Sequence, residues 1–253
     1  MQNFKSNPAP KQVCRDSLFN GAVSCLQHRP GYRFSVDSVI LAQFPKIAEN
    51  ETILDLGTGC GIIGLILCYR YRTLPISITG LELQGELAEL ACANIEENGY
   101  SDRFRLIHAD ARCYRELFEP ESFSLVVSNP PFYIGGSGRT SRDGQASAAR
   151  HQDDFGLEGF AEAASFCVKN RGRVVFIYPA DLSMHLIEQL QRRRLTPKSV
   201  QYVYSYPESD AAALVVVESV KNGGMGCRVI SPFYLYRHRN GPYSDHAESL
   251  FAP

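Results

Sequence analysis

From residue 51 onward, short aliphatic runs alternate with stretches whose apolar residues recur at helical spacing. "ETILDLG" (51–57), "ISITGLEL" (76–83), "FRLIHAD" (104–110), "FSLVVSN" (123–129) and "GRVVFIYP" (172–179) read as strands. "GIIGLILCYRY" (61–71), "GELAELACANIEEN" (85–98), "LEGFAEAASFCVKN" (157–170) and "DLSMHLIEQLQRRR" (181–194) read as helices, the second stopping at the C-cap pair Asn98-Gly99. Such alternation restricts the chain to an α/β fold whose mostly parallel sheet is covered on both faces. Sheets of this kind bind ligands at the carboxyl ends of their strands. Two further runs, "SVQYVYSYP" (199–207) and "AALVVVESV" (212–220), have no helix between them, which predicts an antiparallel pair. Ahead of the alternation, "SLFNGAVSCLQHRPGYRFS" (17–35) predicts a hairpin turned at Asn20-Gly21, and "SVDSVILAQF" (35–44) a helix with Ser35 as N-cap.

A chain of 253 residues suits one such domain with appendages. No apolar run approaches the roughly 20 residues that span a bilayer, and the N-terminus lacks the apolar core of a signal peptide, so a soluble cytoplasmic protein is expected. Eight cysteines are scattered with no Cys-x-x-Cys pair, the pattern of reduced thiols rather than a disulfide framework or a metal site. The net charge of −1 conceals an asymmetry. Residues 1–48 carry 6 Lys/Arg against 2 Asp/Glu, residues 49–168 carry 9 against 18, and residues 169–253 carry 11 against 7. Basic flanks around an acidic middle are either ordinary solvated surface or the grip on a polyanionic partner.

"LDLGTGCGIIG" (54–64) sets Gly57, Gly59, Gly61 and Gly64 between a strand and a helix. Glycines there permit a tight turn and close backbone approach to a ligand, a signal shared by many nucleotide-binding proteins. Asp55 narrows the choice. A carboxylate two residues before the first glycine would repel a dinucleotide pyrophosphate by roughly 1–4 kcal/mol at short separations near a surface. S-adenosylmethionine has no phosphate; its methionine end carries an ammonium and its sulfur is a sulfonium, so a carboxylate is favourable. No Walker lysine follows the glycines. Glu82 ends the second strand, 18 residues after Gly64, where an acid can accept from ribose hydroxyls. Asp110 ends the third and is placed to accept from an adenine amino group. Each acid also has a structural reading: helix capping for Asp55 and Asp110, a surface pair for Glu82. Three acids at three consecutive strand ends favour a cofactor site.

The fourth strand stops at Asn129-Pro130-Pro131-Phe132. The prolines fix φ and remove two backbone donors, and Asn129, preceding a proline, is held extended. The expected result is a stiff ledge on which the Asn129 side-chain oxygen and the Pro130 carbonyl receive both hydrogens of a planar amino group. Phe132 offers a stacking face, worth about 1–3 kcal/mol per base. The alternative is a strand-ending turn with a buried Phe.

The strand-end acids, the glycine loop and the terminal hairpin resemble the class I S-adenosylmethionine-dependent methyltransferases, a Rossmann-like fold with a mostly parallel seven-stranded sheet. Asn-Pro-Pro-(Tyr/Phe) on strand four resembles the members that modify planar amino groups. "GYRFSVDSVILAQF" (31–44), "LDLGTGCGIIGL" (54–65), "NPPFYIGGSGR" (129–139), "AARHQ" (148–152), the 172–204 segment and "PYSDHAESLF" (242–251) are similar to the bacterial tRNA(Val) adenine-N6 methyltransferase family, over nearly the whole chain from about residue 17. The resemblance implies methylation of the adenine 3′ of the anticodon (position 37), with S-adenosyl-L-methionine as cofactor, a tRNA as partner, and no metal or membrane. It implies a hairpin and helix at 1–48 packing on a methyltransferase domain at 49–220, with 221–253 an extension integral to that domain, as monomer or homodimer. It assigns Arg33, Phe34 and Asp37 to the methionine end of the cofactor pocket, where Asp37 and Ser35 also serve as helix caps. Leu83 and Ala111 join Asp55, Gly57, Gly59, Gly61, Glu82, Asp110 and Asn129 in the cofactor site. Asn129, Pro130, Pro131 and Phe132 form the catalytic ledge, and Phe132, Tyr133, Arg139, Arg150 and His151 meet the substrate. Family members usually carry Tyr at the position of Phe132, and guanine-N2 enzymes carry Phe, which keeps an rRNA guanine-N2 target as an alternative. A release-factor glutamine-N5 methyltransferase shares the ledge but carries a sizeable helical domain ahead of the glycine loop, where this chain has about 50 residues. A non-catalytic RNA-binding module is disfavoured by intact Asp55, Glu82 and Asn129.

Overall fold

Alternation of side chains along each strand decides how the layers assemble. In the computed structural model, which describes residues 12–29, 35–131 and 155–253, five successive strands carry apolar residues on both faces. They are β3 (Thr52–Leu56), β4 (Ser77–Glu82), β5 (Phe104–His108), β6 (Phe123–Ser128) and β7 (Val168–Pro179). Ile53, Leu125, Val127, Val175 and Ile177 belong to one buried cluster. Their neighbours Leu54, Leu56, Val126, Val174 and Phe176 belong to a second cluster on the opposite face. A strand buried on both sides needs cover on both sides. The first cluster is covered by α1 (Val36–Gln43), α2 (Ile62–Arg70) and α3 (Gly85–Glu97). The second is covered by the short α4 (Tyr114–Leu117), α5 (Gly156–Cys167) and α6 (Ser183–Arg192).

Strands β5-β4-β3-β6-β7 are parallel neighbours. The expected antiparallel pair is β8 (Leu195–Tyr204) and β9 (Leu214–Lys221). β9 inserts between β7 and β8, antiparallel to both, so β8 again runs with β6 and β7. The seven expected strands are present, and two more pair on the outer edge of β8: β10 (Arg228–Val229) and β11 (Phe233–Tyr234). After them, α7 (Asp245–Ser249) buries Ala247, and Leu250 follows it into the first cluster. Ser244 caps α7, its hydroxyl accepting from the Ala247 N–H at 3.1 Å.

The N-terminal hairpin pairs β1 (Gln12–Leu18) with β2 (Val23–Arg29) across a turn in which Asn20 (φ 55°) and Gly21 (φ 89°) are left-handed. Its first strand begins at Gln12, earlier than the apolar pattern suggests. The hairpin is latched to α3 by two amides. Asn94 Oδ1 accepts from the Leu26 N–H at 2.7 Å, and its Nδ2 donates to the carbonyls of Leu26 (3.0 Å) and Cys60 (2.9 Å). Asn98 makes the same reciprocal pair with Ser24.

Two boundaries differ from expectation. The 157–170 helix ends at Cys167 because Val168 pairs with Phe123 and starts β7. The 181–194 helix opens with a 3-10 turn, Ala180–Leu182, before α6 proper. Among the described residues no helix is long and apolar enough to cross a membrane, and no cluster of His, Cys, Asp or Glu has the arrangement of a metal site.

Candidate active site

The carboxyl ends of β3, β4 and β6 lie side by side, Asp55 standing opposite Gly80 on one flank and Val127 on the other. At the end of β3 the chain turns through Gly57 (φ 80°), Gly59 (φ 60°) and Gly61 (φ 87°), a left-handed series that side chains resist. The turn folds over β4: the Gly57 and Thr58 N–H groups both donate to the Leu81 carbonyl, at 2.9 and 3.0 Å. Space also demands glycine here. A Cβ on Gly57 would stand 3.3 Å from the Phe160 ring, and one on Gly64 would meet Phe104 at 2.2 Å.

Asp55 is fully buried beneath this turn. Thr58 Oγ1 donates to its Oδ2 at 2.6 Å, while Oδ1 is buried with no hydrogen-bond partner. Burial pushes its carboxyl up to about 7; the bond from the Thr58 hydroxyl and the nearby Gly64 N–H oppose the rise, and the nearby Glu82 charge adds to it. An acceptor left orphaned in the interior costs about 1–3 kcal/mol, so it marks a place where a donor is missing. A cationic ammonium fits that oxygen; a phosphate does not.

Glu82, also buried, ties the loop to the end of β4. Its Oε2 accepts from the Gly59 N–H and its Oε1 from the Gln84 N–H, each at 2.8 Å. Burial raises its pKa, partly offset by these N–H groups. Each oxygen keeps a second lone-pair direction, so the carboxylate can still accept from a diol. Leu83 beside it is 42% exposed, an open apolar surface at the strand ends.

The other acids are committed differently. Asp110 caps a 3-10 turn beginning at Ala111, its Oδ1 accepting from the Arg112 N–H at 2.9 Å and its Oδ2 paired with the Arg112 guanidinium. Hydrogen bonds from the Arg112 side chain hold its carboxyl below the usual range. The capping reading of Asp110 is therefore the one realised locally, and Ala111 stands half-buried at the turn. Asp37 lies in the first turn of α1, where burial raises its pKa and the Ser35 hydroxyl opposes the rise. Ser35 occupies the N-cap position with an extended backbone, but its hydroxyl accepts no capping bond from the helix backbone N–H groups.

Asn129 follows β6 directly and is half-buried; Pro130 is buried and Pro131 exposed. The strand end beneath it is fixed to the glycine loop's own strand, since the buried Ser128 Oγ donates to the Leu56 carbonyl at 2.7 Å. The structure thus brings together Asp55, the glycine turn and Glu82, with Asn129 on the adjoining strand end. Arg33, Phe34, Phe132, Tyr133, Arg139, Arg150 and His151 lie outside the described residues.

Three contributors escaped the sequence reading. Thr58 stands in plain view between two glycines, but its bond to Asp55 depends on the turn's shape. Ser128 resembles any polar strand end. Asn94 left a signal: it falls on the buried stripe of α3 with Leu87, Ala88, Leu90, Ala91 and Ile95, and an amide on an apolar stripe implies buried partners.

Residues 35–148 match the methyltransferase small domain family. Among solved structures, a predicted O-methyltransferase from Agrobacterium tumefaciens superposes with a TM-score of 0.68 at 20% identity, covering 85% of this chain and 94% of that one. TYW2 of Pyrococcus horikoshii, in complex with MeSAdo, gives 0.57 at 16% identity, over 85% of this chain and 73% of that one. Likenesses this distant establish the fold alone, that of the class I Rossmann-like methyltransferases. Sequence relatives are nearer. The tRNA1(Val) (adenine(37)-N6)-methyltransferase of Trichodesmium erythraeum is 27% identical over 165 residues, 65% of this chain and 68% of that protein. The enzyme of the same name from Aliivibrio fischeri is 30% identical over 149 residues, which span 61% of its length. That of Flavobacterium johnsoniae is 31% identical over 189 residues, 74% of this chain and 78% of its own. At 31% identity over 74% of this chain and 78% of the Flavobacterium johnsoniae enzyme, the chain belongs to the tRNA1(Val) (adenine(37)-N6)-methyltransferase family.

Proposed function

We propose that the protein transfers a methyl group from S-adenosylmethionine to the exocyclic N6 amine of an adenine in tRNA, the adenine at position 37 of tRNA(Val). The observation that carries this reading is the buried, unpartnered Oδ1 of Asp55 under a glycine turn, one strand away from Asn129-Pro130-Pro131. Asp55 takes the cofactor's ammonium, and Glu82 accepts from its ribose while holding the Gly59 N–H. Bound there, the cofactor would supply an electrophilic methyl on a sulfonium, with sulfur keeping the C–S bonding electrons when the methyl is transferred.

Asn129 and the Pro130 carbonyl receive the two amine hydrogens, turning the nitrogen lone pair toward the methyl. Delocalisation into the ring makes that lone pair a poor nucleophile, so alignment rather than a strong base is what the ledge contributes. The proton leaves to water after the methyl arrives. Phe132 supplies the face on which the extruded base stacks, offsetting part of the few kcal/mol needed to unstack it from the loop. Those basic residues of the two flanks that lie at the carboxyl-end edge of the sheet supply phosphate contacts.

The test is to incubate the protein with tritiated S-adenosylmethionine and unmodified tRNA, then identify the labelled nucleoside by mass spectrometry. N6-methyladenosine at position 37 of tRNA(Val) is expected. Label in N2-methylguanosine would instead favour the guanine reading that Phe132 keeps open, and label in protein alone would overturn the RNA assignment.

A further inference from the structure

Beyond β9 the chain returns along the outer edge of β8, and its course continues past the sheet. The β11–β8 ladder is extended by the Leu235 N–H donating to the Tyr204 carbonyl (3.0 Å) and the Tyr236 N–H to Ser205 (2.8 Å). Since β8 runs parallel to β6, this extension emerges at the same edge of the sheet as Asn129. Four ladder spacings separate β6 from β11, about 19 Å in all. There residues 236–243 form a small hairpin, closed by the Tyr236–Tyr243 bridge, the Arg237 N–H to Pro242 carbonyl bond (3.0 Å) and the Gly241 N–H to His238 carbonyl bond (2.9 Å).

The hairpin reads Tyr-Arg-His-Arg-Asn-Gly-Pro-Tyr, with two arginines, a histidine and no acid. Its rings are stacked in a row: Phe251 carries Tyr243 (5.5 Å, 23°), and Tyr243 carries Tyr236 (5.2 Å, 10°). Phe251 packs against the core, whereas Tyr236 is 36% exposed at the far end. Arg237 is committed to the fold: it pairs with Asp245 at 2.6 Å and donates to the Tyr243 carbonyl. Arg239 is exposed and makes no ion pair among the described residues. The ring of His238 lies over Gly241, where an added Cβ would meet it at 2.6 Å. The turn is thus held by its own bonds, while one cation and one aromatic face remain open.

We propose that the 236–243 hairpin is a second RNA contact, with Tyr236 stacking on an unpaired base and Arg239 and His238 meeting backbone phosphates a few nucleotides along the strand from the one held at Asn129. This rests on the reading of RNA as the substrate. A rigid aromatic next to a fixed cationic turn suits a strand whose bases are exposed and whose phosphates are negative, and preorganisation lowers the ordering cost of binding.

Fluorescence anisotropy with a labelled, unmodified anticodon stem-loop, at several salt concentrations, tests it. Arg239→Glu should weaken RNA binding about 5- to 20-fold and reduce the log–log salt slope by about 1 to 2. Tyr236→Ala should weaken it about tenfold, and Tyr236→Phe should restore it, which a merely structural tyrosine hydroxyl or a general charge effect would not predict. Lys169→Glu, at the opposite edge of the sheet, should leave RNA affinity unchanged, and calorimetric cofactor affinity should be unchanged in every variant. Wild-type RNA affinity in both Arg239→Glu and Tyr236→Ala overturns the hairpin proposal while leaving the RNA substrate intact. An equal loss in Lys169→Glu overturns it as non-specific electrostatics. A wild-type protein that neither binds nor methylates the stem-loop or whole tRNA overturns both readings together.

Discussion

Thr58 Oγ1 donates to Asp55 Oδ2 at 2.6 Å and leaves Oδ1 of the same carboxylate buried with no partner. One half of the group is satisfied by the fold and the other half is not, and burying that charge costs stability. In the unfolded chain this carboxyl ionises near 3.8, in the folded chain near 7. Between those values the folded state holds the extra proton, so stability falls as pH rises through that window, and the full cost is felt above it.

Asp55→Asn removes the charge while keeping the shape. The ligand-free variant should melt higher than the wild type at pH 8, by an amount corresponding to about 1–4 kcal/mol, with little difference at pH 4. Its affinity for S-adenosylmethionine should fall by about 1–3 kcal/mol through loss of a charged hydrogen bond. Paired melting and calorimetry at the two pH values check this. A variant no more stable than the wild type at pH 8 would show that Asp55 is not a frustrated charge.

The same carboxylate should give cofactor binding a characteristic pH profile. Below about 7, wild-type affinity should drop towards tenfold per pH unit as Asp55 takes up its proton. Above about 8 it should drop again as the ligand's α-amino group loses its own. The low-pH limb should vanish in Asp55→Asn. Glu82, also raised by burial, would supply any limb that remains.

Asn94 should matter for a different reason. It is fully buried, and its single amide satisfies the Leu26 N–H and the carbonyls of Leu26 and Cys60. It therefore holds β2 against the glycine loop, with Cys25 and Cys60 sulfurs 3.6 Å apart beside it. Asn94→Ala leaves several buried groups unpaired, and a loss of about 2–5 kcal/mol is expected. Hydrogen exchange should speed up at Leu26 and Ser24 before the central strands respond. Uniform acceleration across the sheet would argue that the hairpin is not a separate unit.

Much of this fold was legible because its signals are periodic. Strands β3 to β9 and the helices between them announce themselves by aliphatic runs and by stripes such as Leu87, Leu90, Ala91, Ile95. Two-residue strands such as Arg228–Val229 have no period to detect, and Gln12–Leu18 alternates too weakly to mark its start. At the site, the strand-end acids could be located but not apportioned. Asp55 and Glu82 are inward and buried, whereas Asp110 is spent on Arg112. Sequence spacing placed all three at strand ends, but the partner each one finds depends on side chains that meet only in space. The Glu82–Gly59 bond, across 23 residues, is of that kind.

The ledge after β6 provides the sharpest test of the chemistry. Asn129 sits half-buried on a strand end pinned to β3 through Ser128, and Pro130 behind it is buried, so its position is set by the sheet. A group carried on a strand end anchored in this way can align an amine with little reorganisation during the reaction. Asn129→Ala should lower the single-turnover methylation rate by about 10²–10³-fold, the range for losing one preorganised polar contact that strengthens in the transition state. Cofactor affinity should scarcely change, because Asp55 and Glu82 remain. Phe132→Tyr should retain activity, since the stacking face survives, and Phe132→Ala should lose most of it. Asn129→Asp separates alignment from size: it keeps an oxygen acceptor but adds a charge, so a partial rate is expected. Rates measured at saturating RNA, paired with cofactor titrations, decide the matter. Near-normal turnover in Asn129→Ala would mean that the two prolines merely end a strand, and that the amine is aligned by residues elsewhere.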